Sequence, residues 1–333
     1  MSQSPMTNTT TMIPKTLQLN GNPLQIGVEH LPVYQGVNLQ LLRLDALDPE
    51  ISGNKWFKLK HNLIQAREQK HKRVLSFGGC YSNHLHALAA AGQRFGFDTV
   101  GIIRGEEPKQ YSPTLYDLRR FGMHMKFVSR TQYRQKTSAE FLVQLNEEFG
   151  DFYLIPEGGS NALGVLGCED IVASVWANQT CAPDYIVLAC GTGATMAGVI
   201  SGTAGRAYVI GVAALKGAQF LEKNVLDLLS ERLLANKALV QSGIPLAQES
   251  LAPQPWHIEY TYSFGGFAKI SPVLTQFMLR FRQETGVLLD PVYTGKMMFA
   301  VYDMIERKVI PFGANVLAIH TGGLQGLRGM RNP

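Results

Sequence analysis

The chain has 333 residues, of which 45% are hydrophobic and 17% are charged. This length and composition predict a globular enzyme of two lobes and exclude a disordered chain. The net charge of +5 is spread along the sequence rather than gathered in a basic stripe among aromatic residues, so nucleic acid is not an expected partner.

No apolar run reaches membrane-spanning length, and the first residues are polar, without the apolar segment of a secretory signal. The four cysteines show neither CxxC pairing nor zinc-ligand spacing. We therefore expect no membrane association, no bound metal, and free thiols in a reducing compartment, the cytoplasm.

Hydrophobic periodicity predicts alternating strands and helices after a loose tail over residues 1–20. The predicted strands span 37–47, which we expect at a sheet edge, and 73–77, 99–103, 125–128, 185–189, 208–213, 256–260 and 315–319. The predicted helices span 55–69, 83–92, 113–121, 139–149, 196–201 and 273–284, with one more after Tyr293. This alternation is typical of parallel sheets with right-handed crossovers. Because a glycine-rich break at 156–160 divides the series, we predict an α/β fold of two lobes.

The stretch SGNKWFKL, residues 52–59, places Lys55 after a glycine turn at the start of a predicted apolar helix. A lysine on a rigid, partly buried element loses its proton more easily, and only the neutral amine condenses with an aldehyde to form a Schiff base. Lys58 shares the same helix face, and its charge would help to keep Lys55 neutral. The alternative is a pair of solvated surface lysines, which the apolar neighbours disfavour.

The stretch Gly191-Thr192-Gly193-Ala194-Thr195 joins a predicted buried strand to a helix. Glycines let the backbone approach an anion, and the helix start offers free N–H groups. A turn without a ligand is the alternative. A dinucleotide fingerprint would need its third glycine where Met196 stands, and the residues of a P-loop are lacking. A cradle for one phosphate and a carbonyl-trapping lysine are together what pyridoxal 5'-phosphate (PLP) requires.

Ser82 and Asn83 open the helix that follows Gly78-Gly79-Cys80-Tyr81. Both residue types are preferred N-caps and need no further role. The functional interpretation is that this helix start grips a carboxylate or the ring hydroxyl of the cofactor. His84 and His86 are two residues apart and point to different sides of a helix, which disfavours a metal site.

Three later polar segments also lie next to predicted strands or helices. Gly158-Gly159-Ser160-Asn161 resembles a loop for a substrate carboxylate, with a plain turn as the alternative. Tyr293 precedes a helix, where it could be structural or could move a proton or stack on a cofactor ring. Thr321, in the segment HTGG, follows an apolar strand, so its side chain is expected at a strand's carboxyl end.

Six motifs occur in the order of one family: SGNKxxK, FGGxxSNH, EGGSNALG, CGTGATxAG, DPVYTGK and HTGG. Over roughly residues 23–324 the chain thereby resembles the 1-aminocyclopropane-1-carboxylate (ACC) deaminases and D-cysteine desulfhydrases, PLP enzymes of the tryptophan-synthase β-type fold. The resemblance implies a large cofactor-binding domain (1–59 and 161–333) and a small domain (60–160), each a mainly parallel sheet flanked by helices. It also implies a homodimer acting on a small amino acid.

The same resemblance implies roles for individual residues. Lys55 would bind the cofactor covalently, and Ser82 and Tyr293 would act with it in catalysis. The cofactor-binding residues would be Lys55, Asn83, Gly191, Thr192, Gly193, Ala194, Thr195 and Thr321. The substrate-binding residues would be Ser82, His84, Ser160 and Asn161.

Within the family, Thr294 and Thr321 resemble the desulfhydrase branch, because deaminases carry a glutamate where Thr294 stands. The resemblance therefore implies β-elimination of D-cysteine or a related small D-amino acid to pyruvate, ammonia and sulfide. The alternatives are ACC deamination to 2-oxobutanoate and ammonia, and a PLP-binding protein without turnover. One departure bears on both: a Gly-Tyr-Gly-like loop of the family reads Ser-Phe-Gly-Gly-Phe at residues 263–267, and neither Tyr260 nor Tyr262 aligns with its tyrosine.

Overall fold

The computed structural model describes residues 17–19, 24–177, 182–241 and 255–329. Most of the predicted loose tail lies outside these ranges. Leu17 and Leu19 are described, and both are buried in the core. None of the helices within the described ranges is long and apolar enough to cross a membrane.

Strands and helices alternate along the described chain, as predicted. The strands are β1 Val28–His30, β2 Asn38–Arg43, β3 Arg73–Gly78, β4 Asp98–Arg104, β5 His124–Val128, β6 Tyr153–Leu154, β7 Tyr185–Cys190, β8 Tyr208–Ala213, β9 Trp256–Glu259 and β10 Asn315–His320. The helices are α1 Asn54–Glu68, α2 Asn83–Phe95, α3 Pro113–Arg120, α4 Arg130–Tyr133, α5 Ala139–Phe149, α6 Ala162–Ala177, α7 Ala194–Thr203, α8 Phe220–Gln241, α9 Pro272–Thr285 and α10 Thr294–Glu306.

The strands form two sheets. A six-stranded sheet has the order β1-β2-β10-β7-β8-β9, and a four-stranded sheet has the order β5-β4-β3-β6. All pairings are parallel except that of β1 with β2. The central strands β7 and β10 are almost wholly apolar and buried, as expected when helices cover both faces of a parallel sheet. The predicted α/β fold with two mainly parallel sheets is confirmed.

Two details of the elements differ from the prediction. The strand expected at a sheet edge, β2, lies between β1 and β10, because the short strand β1 covers its outer side. Helices α4, α6 and α8 and the short strands β1 and β6 were not predicted. Helix α6 is apolar on most of its surface because it packs against α1, α7 and α8, so it lacks the one-sided apolar stripe that marks a helix in sequence.

The four-stranded sheet uses only strands between residues 73 and 154, whereas the six-stranded sheet takes strands from both sides of that stretch. Helix α1 runs across the expected domain boundary at residue 59, and the inserted small domain stays a prediction. The exact boundaries at 59/60 and 160/161 stay a prediction. The loops after β3, β7 and β10 and the starts of α1, α2, α7 and α10 meet at one cavity.

Candidate active site

A cavity of about 680 Å³ brings most of the predicted site residues together. The predicted residues that line it are Lys55, Ser82, Asn83, His84, Gly191, Thr192, Gly193, Thr195, Tyr293 and Thr321. Ala194, Ser160 and Asn161 are not among the lining residues.

A tight backbone contact sets the position of Lys55. Gly53 has a φ of +66°, and a Cβ atom there would lie 2.0 Å from the carbonyl oxygen of Thr321. The backbone N–H of Asn54 donates to that same oxygen at 3.1 Å. The segment before α1 therefore packs directly on the HTGG loop after β10, which requires a residue without a side chain at position 53.

Lys55 is half-buried, and its Nζ donates to Oδ1 of Asn54 at 2.7 Å. Burial, and then the positive charge of Lys58, lower the pKa of Lys55 to about 7. This is the direction that the sequence predicts. At neutral pH the Lys55 amine is therefore uncharged in a large share of the molecules, and the uncharged amine can attack an aldehyde.

Lys58 lies one turn further along α1 and is buried. Its Nζ donates to Oγ1 of Thr192 at 3.4 Å, so it points at the glycine loop. Burial lowers the pKa of Lys58 as well. One helix thus directs two amines into the cavity, and the second of them points at the anion loop.

The glycine loop ends where α7 begins, at the N-cap Gly193, whose φ is +94°. The first N–H groups of a helix have no partner within the helix and favour an anion. Two hydrogen bonds fix the loop hydroxyls: Ser160 Oγ donates to Thr192 Oγ1 at 2.7 Å, and Asn54 Nδ2 donates to Thr195 Oγ1 at 2.8 Å. The loop is therefore held open towards the cavity.

The predicted substrate loop has a different position from the rest of the site. Ser160 reaches the glycine loop only through its bond to Thr192. Asn161 exchanges hydrogen bonds with the side chain of Asn62 and accepts one from the backbone N–H of Gly164 at 2.9 Å. Asn161 therefore secures the start of α6 instead of lining the cavity.

The start of α2 forms another wall. The Oγ of Ser82 accepts from the N–H of Leu85 at 3.2 Å, which is an N-cap bond, and Asn83 Oδ1 accepts from Gln325 Nε2 at 2.9 Å. His84 is buried, with Nε2 2.9 Å from Ser76 Oγ.

The protonation of His84 follows from its partner. The hydroxyl of Ser76 donates to the carbonyl of Ile155 at 2.7 Å, so it accepts from Nε2–H of His84. Burial lowers the pKa of His84 to about 3, with Lys55 and Lys58 adding to the effect. The ring is neutral, and its Nδ1 is an acceptor without a partner among the described residues.

Asp290, which also lines the cavity, holds the start of α10. Its carboxylate accepts from the N–H groups of Val292, Tyr293 and Thr294 at 2.8–2.9 Å and from Oγ1 of Thr294 at 2.7 Å. The Thr294 hydroxyl is therefore occupied and does not line the cavity, whereas Thr321 does. Burial, and then the charge of Asp290, raise the pKa of Tyr293, so its phenol stays protonated.

The altered loop places no tyrosine in the cavity. Tyr260 donates to Glu222 at 3.1 Å and Tyr262 to Asp303 at 2.5 Å, and neither is a lining residue. Phe267 lines the cavity instead, with its ring centroid 6.2 Å from that of Tyr293.

Sequence reasoning missed this role of Phe267 and also missed Arg104, which lines the cavity. A usable signal for Arg104 was its position at the carboxyl end of a predicted parallel strand.

Lys296 holds the loop at residues 263–267, which carries Phe267, in place. It is fully buried, and its ammonium donates to the backbone carbonyls of Ala214, Ser263 and Gly266 at 3.2, 2.9 and 2.8 Å. Three carbonyl acceptors compensate for the burial of this charge. Lys296 therefore ties the end of β8 to the loop that carries Phe267.

These residues fit PLP. An amine with a lowered pKa suits the aldehyde, and the N-terminus of α7 with two hydroxyls and Lys58 suits the phosphate dianion. The unpartnered Nδ1 of His84 supplies a buried acceptor beside these amines.

The family described as pyridoxal-phosphate dependent enzymes matches residues 23–322, and the chain belongs to this family. PLP is its cofactor. A D-cysteine desulfhydrase of Serratia proteamaculans is 28% identical, covering 90% of this chain and 91% of the relative. A bifunctional D-cysteine desulfhydrase/1-aminocyclopropane-1-carboxylate deaminase of Arabidopsis thaliana is 29% identical over 94% of this chain and 79% of its own length.

Among solved structures, an ACC deaminase homologue superimposes with a TM-score of 0.76 at 26% identity, with 91% of each chain covered. This agreement extends over both sheets and supports the two-lobe PLP fold implied by the motifs.

Proposed function

We propose that this protein is a lyase that converts D-cysteine, or a related small D-amino acid, to pyruvate, ammonia and sulfide. For D-cysteine the reaction consumes one water. The proposal depends on one observation above all: Lys55, with its lowered pKa, shares a cavity with an anion loop and a threonine, Thr321, on the HTGG side. The names of the relatives from Serratia and Arabidopsis support the substrate class.

The side chains divide the work as follows. Bound PLP supplies an electron sink that stabilises negative charge at the substrate's α-carbon. The amine of Lys55 would hold the cofactor and would accept the α-proton of the substrate, for which a pKa of about 7 is well matched to neutral pH. The phenol of Tyr293 stays protonated and can donate a proton on the side of the leaving group.

The remaining residues bind and orient. Gly191–Thr195 and Lys58 would hold the phosphate, and Asn83 would lie at the ring hydroxyl. Ser82 and the N-terminus of α2 would receive the substrate carboxylate, with neutral His84 beside them. Ser160 and Asn161 would contribute indirectly, by fixing Thr192 and the start of α6.

Elimination is favoured over cyclopropane opening by the surroundings of Thr294 and Thr321. A hydroxyl at Thr321 cannot hold a pyridine nitrogen protonated as a carboxylate can, so the electron sink is weaker and suits a good leaving group such as thiolate. The Thr294 hydroxyl is bonded to Asp290. ACC deamination to 2-oxobutanoate and ammonia is the second candidate, which the Arabidopsis relative supports.

A PLP-binding protein without turnover is the third candidate. The altered loop at residues 263–267 favours it, since Phe267 cannot exchange a proton. It predicts a bound chromophore whose absorbance no small amino acid changes.

One experiment tests Lys55 as the cofactor-binding lysine, and a second separates the three candidates. Borohydride reduction of the holoenzyme followed by peptide mapping should label Lys55, and label on any other lysine would refute the assignment. A Lys60→Ala variant, which removes a lysine on the same helix, should be labelled like the wild type. A spectral screen of D- and L-cysteine, D-serine and ACC, with pyruvate and 2-oxobutanoate assayed alongside, then identifies the substrate.

We further propose a cytoplasmic location and a homodimer. The free thiols of Cys80, Cys168 and Cys190 suit a reducing compartment. Exposed apolar side chains on α9, Val273 and Leu279, suit contact with a second copy. Sedimentation at several protein concentrations tests the dimer, and a single species of monomer mass would contradict it.

A further inference from the structure

Arg104 is a cation at the cavity that the proposed mechanism does not use. It ends strand β4, and its neighbour Gly105 is fixed by a hydrogen bond from its N–H to the carbonyl of Val128 at 2.8 Å. The guanidinium carbon lies 5.7 Å from the ring centroid of Tyr133, a buried side chain. A strand end and an aromatic ring thus hold this side chain in place.

No carboxylate among the described residues neutralises the charge of Arg104. Within the described ranges Arg104 forms no ion pair, and Glu157, the nearby carboxylate that also lines the cavity, is paired with Lys136 at 3.0 Å. Arg104 is exposed, so a solute can reach it from the cavity.

The guanidinium lies next to the loop that leads into α2. Its Nη2 would be 3.9 Å from a Cβ atom on Gly79. Burial raises the pKa of the Cys80 thiol, and the charge of Arg104 opposes that rise, so the field of Arg104 extends into this loop. The loop ends at Ser82, where the N-terminus of α2 begins.

The other cations of the lining are committed elsewhere. Lys55 is the amine with the lowered pKa, and Lys58 points at the glycine loop. His84 is neutral. Arg104 is therefore the cation that remains available for the anionic group of an amino acid.

We infer that Arg104 is a specificity-determining residue that recognises the substrate's carboxylate at the mouth of the cavity, beside the N-terminus of α2. The inference rests on the proposed amino-acid substrate. A planar guanidinium on an aromatic ring suits a carboxylate, because it offers two parallel N–H donors. Arg104 should not increase the affinity for ligands that have the amine but lack the carboxylate.

The test removes the charge of Arg104 and the carboxylate of the ligand, separately and together, and compares the four binding affinities. D-alanine has no leaving group and D-alaninamide has no carboxylate, so their binding to the holoenzyme can be measured by absorbance and by calorimetry without turnover. Arg104→Gln should weaken D-alanine about tenfold, which corresponds to about 1.4 kcal/mol, and leave D-alaninamide unchanged. Arg104→Lys should recover part of the loss.

Arg130→Gln is the matched control, since Arg130 is exposed at the start of α4, close in the chain to β5, and does not line the cavity. It should bind both ligands like the wild type. Equal weakening of both ligands by Arg104→Gln, or none, would overturn the inference. Wild-type protein that binds D-alanine through Arg104 but never releases pyruvate from D-cysteine would contradict the proposed function alone.

Discussion

Asn54 Nδ2 donates a hydrogen bond of 2.8 Å to Oγ1 of Thr195 and so joins the first turn of α1 to the first turn of α7. The same side chain accepts from the amine of Lys55 at 2.7 Å. One asparagine therefore couples the reactive lysine to the anion loop, although the two motifs are far apart in the chain. The distance between aldehyde and phosphate in a bound cofactor has to match this arrangement.

The charge of Lys58 should tune the reactivity of Lys55. The uncharged fraction of a lysine rises above its pKa, so the rate at which apoprotein takes up PLP should rise with a midpoint near pH 7. Lys58→Met removes a positive neighbour, which raises the pKa of Lys55 and should move the midpoint up by about one unit. Stopped-flow absorbance measures it.

The control for this experiment is Lys60→Met, because Lys60 pairs with Asp170 at 3.4 Å. Its midpoint should equal that of the wild type. A Lys58→Met midpoint that stays near 7 or falls would show that burial alone lowers the pKa of Lys55.

A glutamate at position 294 should not create a deaminase. Thr294 is fully buried and bonded to Asp290, so Thr294→Glu would place two carboxylates side by side and should lower the free energy of unfolding by about 3 kcal/mol. Thr294→Ser keeps the hydroxyl and should cost less than about 1 kcal/mol. Urea unfolding measures both. A stable Thr294→Glu protein that releases 2-oxobutanoate from ACC would contradict this prediction.

Gly53 should be far less tolerant of alanine than Gly217, although their φ values, +66° and +69°, are similar. A Cβ atom on Gly53 would lie 2.0 Å from a backbone oxygen, whereas one on Gly217 meets nothing within 4 Å. Gly217→Ala should lower the free energy of unfolding by about 1 kcal/mol, because its positive φ alone disfavours a side chain. Gly53→Ala should cost more than about 3 kcal/mol and lower PLP affinity, as thermal unfolding and cofactor titration would measure. Similar losses in both variants would contradict the close contact.

His84 should make the apoprotein less stable in acid. Its pKa is about 3 in the folded state against an ordinary value of 6.5, so between these values the unfolded chain binds a proton that the folded protein does not. The stability that neutral His84 contributes is complete above pH 6.5 and is lost as the pH falls towards 3, by up to about 1.4 kcal/mol per pH unit.

Acid unfolding of His84→Gln measures this effect, because the variant should lose stability with a shallower slope than the wild type. His30→Gln, at an exposed position, should retain the wild-type slope. Equal slopes in all three proteins would contradict a neutral, buried His84.

Features that depend on local pattern could be predicted from the sequence. The lysine at the start of α1, the glycine loop between β7 and α7 and the alternation of strands and helices each leave a signal in a few neighbouring residues. Contacts between distant segments leave no such signal. The sequence could not indicate that Asn161 pairs with Asn62, or that Lys296 ties the end of β8 to the loop that carries Phe267.

The position of β10 has a consequence for synthesis of the protein. This strand, the last of those described, lies between β2 and β7 in the middle of the six-stranded sheet. While the ribosome is still translating, β2 and β7 have no strand to join them, whereas β3 to β6 can already pair. The larger sheet, and with it the HTGG side of the cavity, can close only when almost the whole chain has emerged.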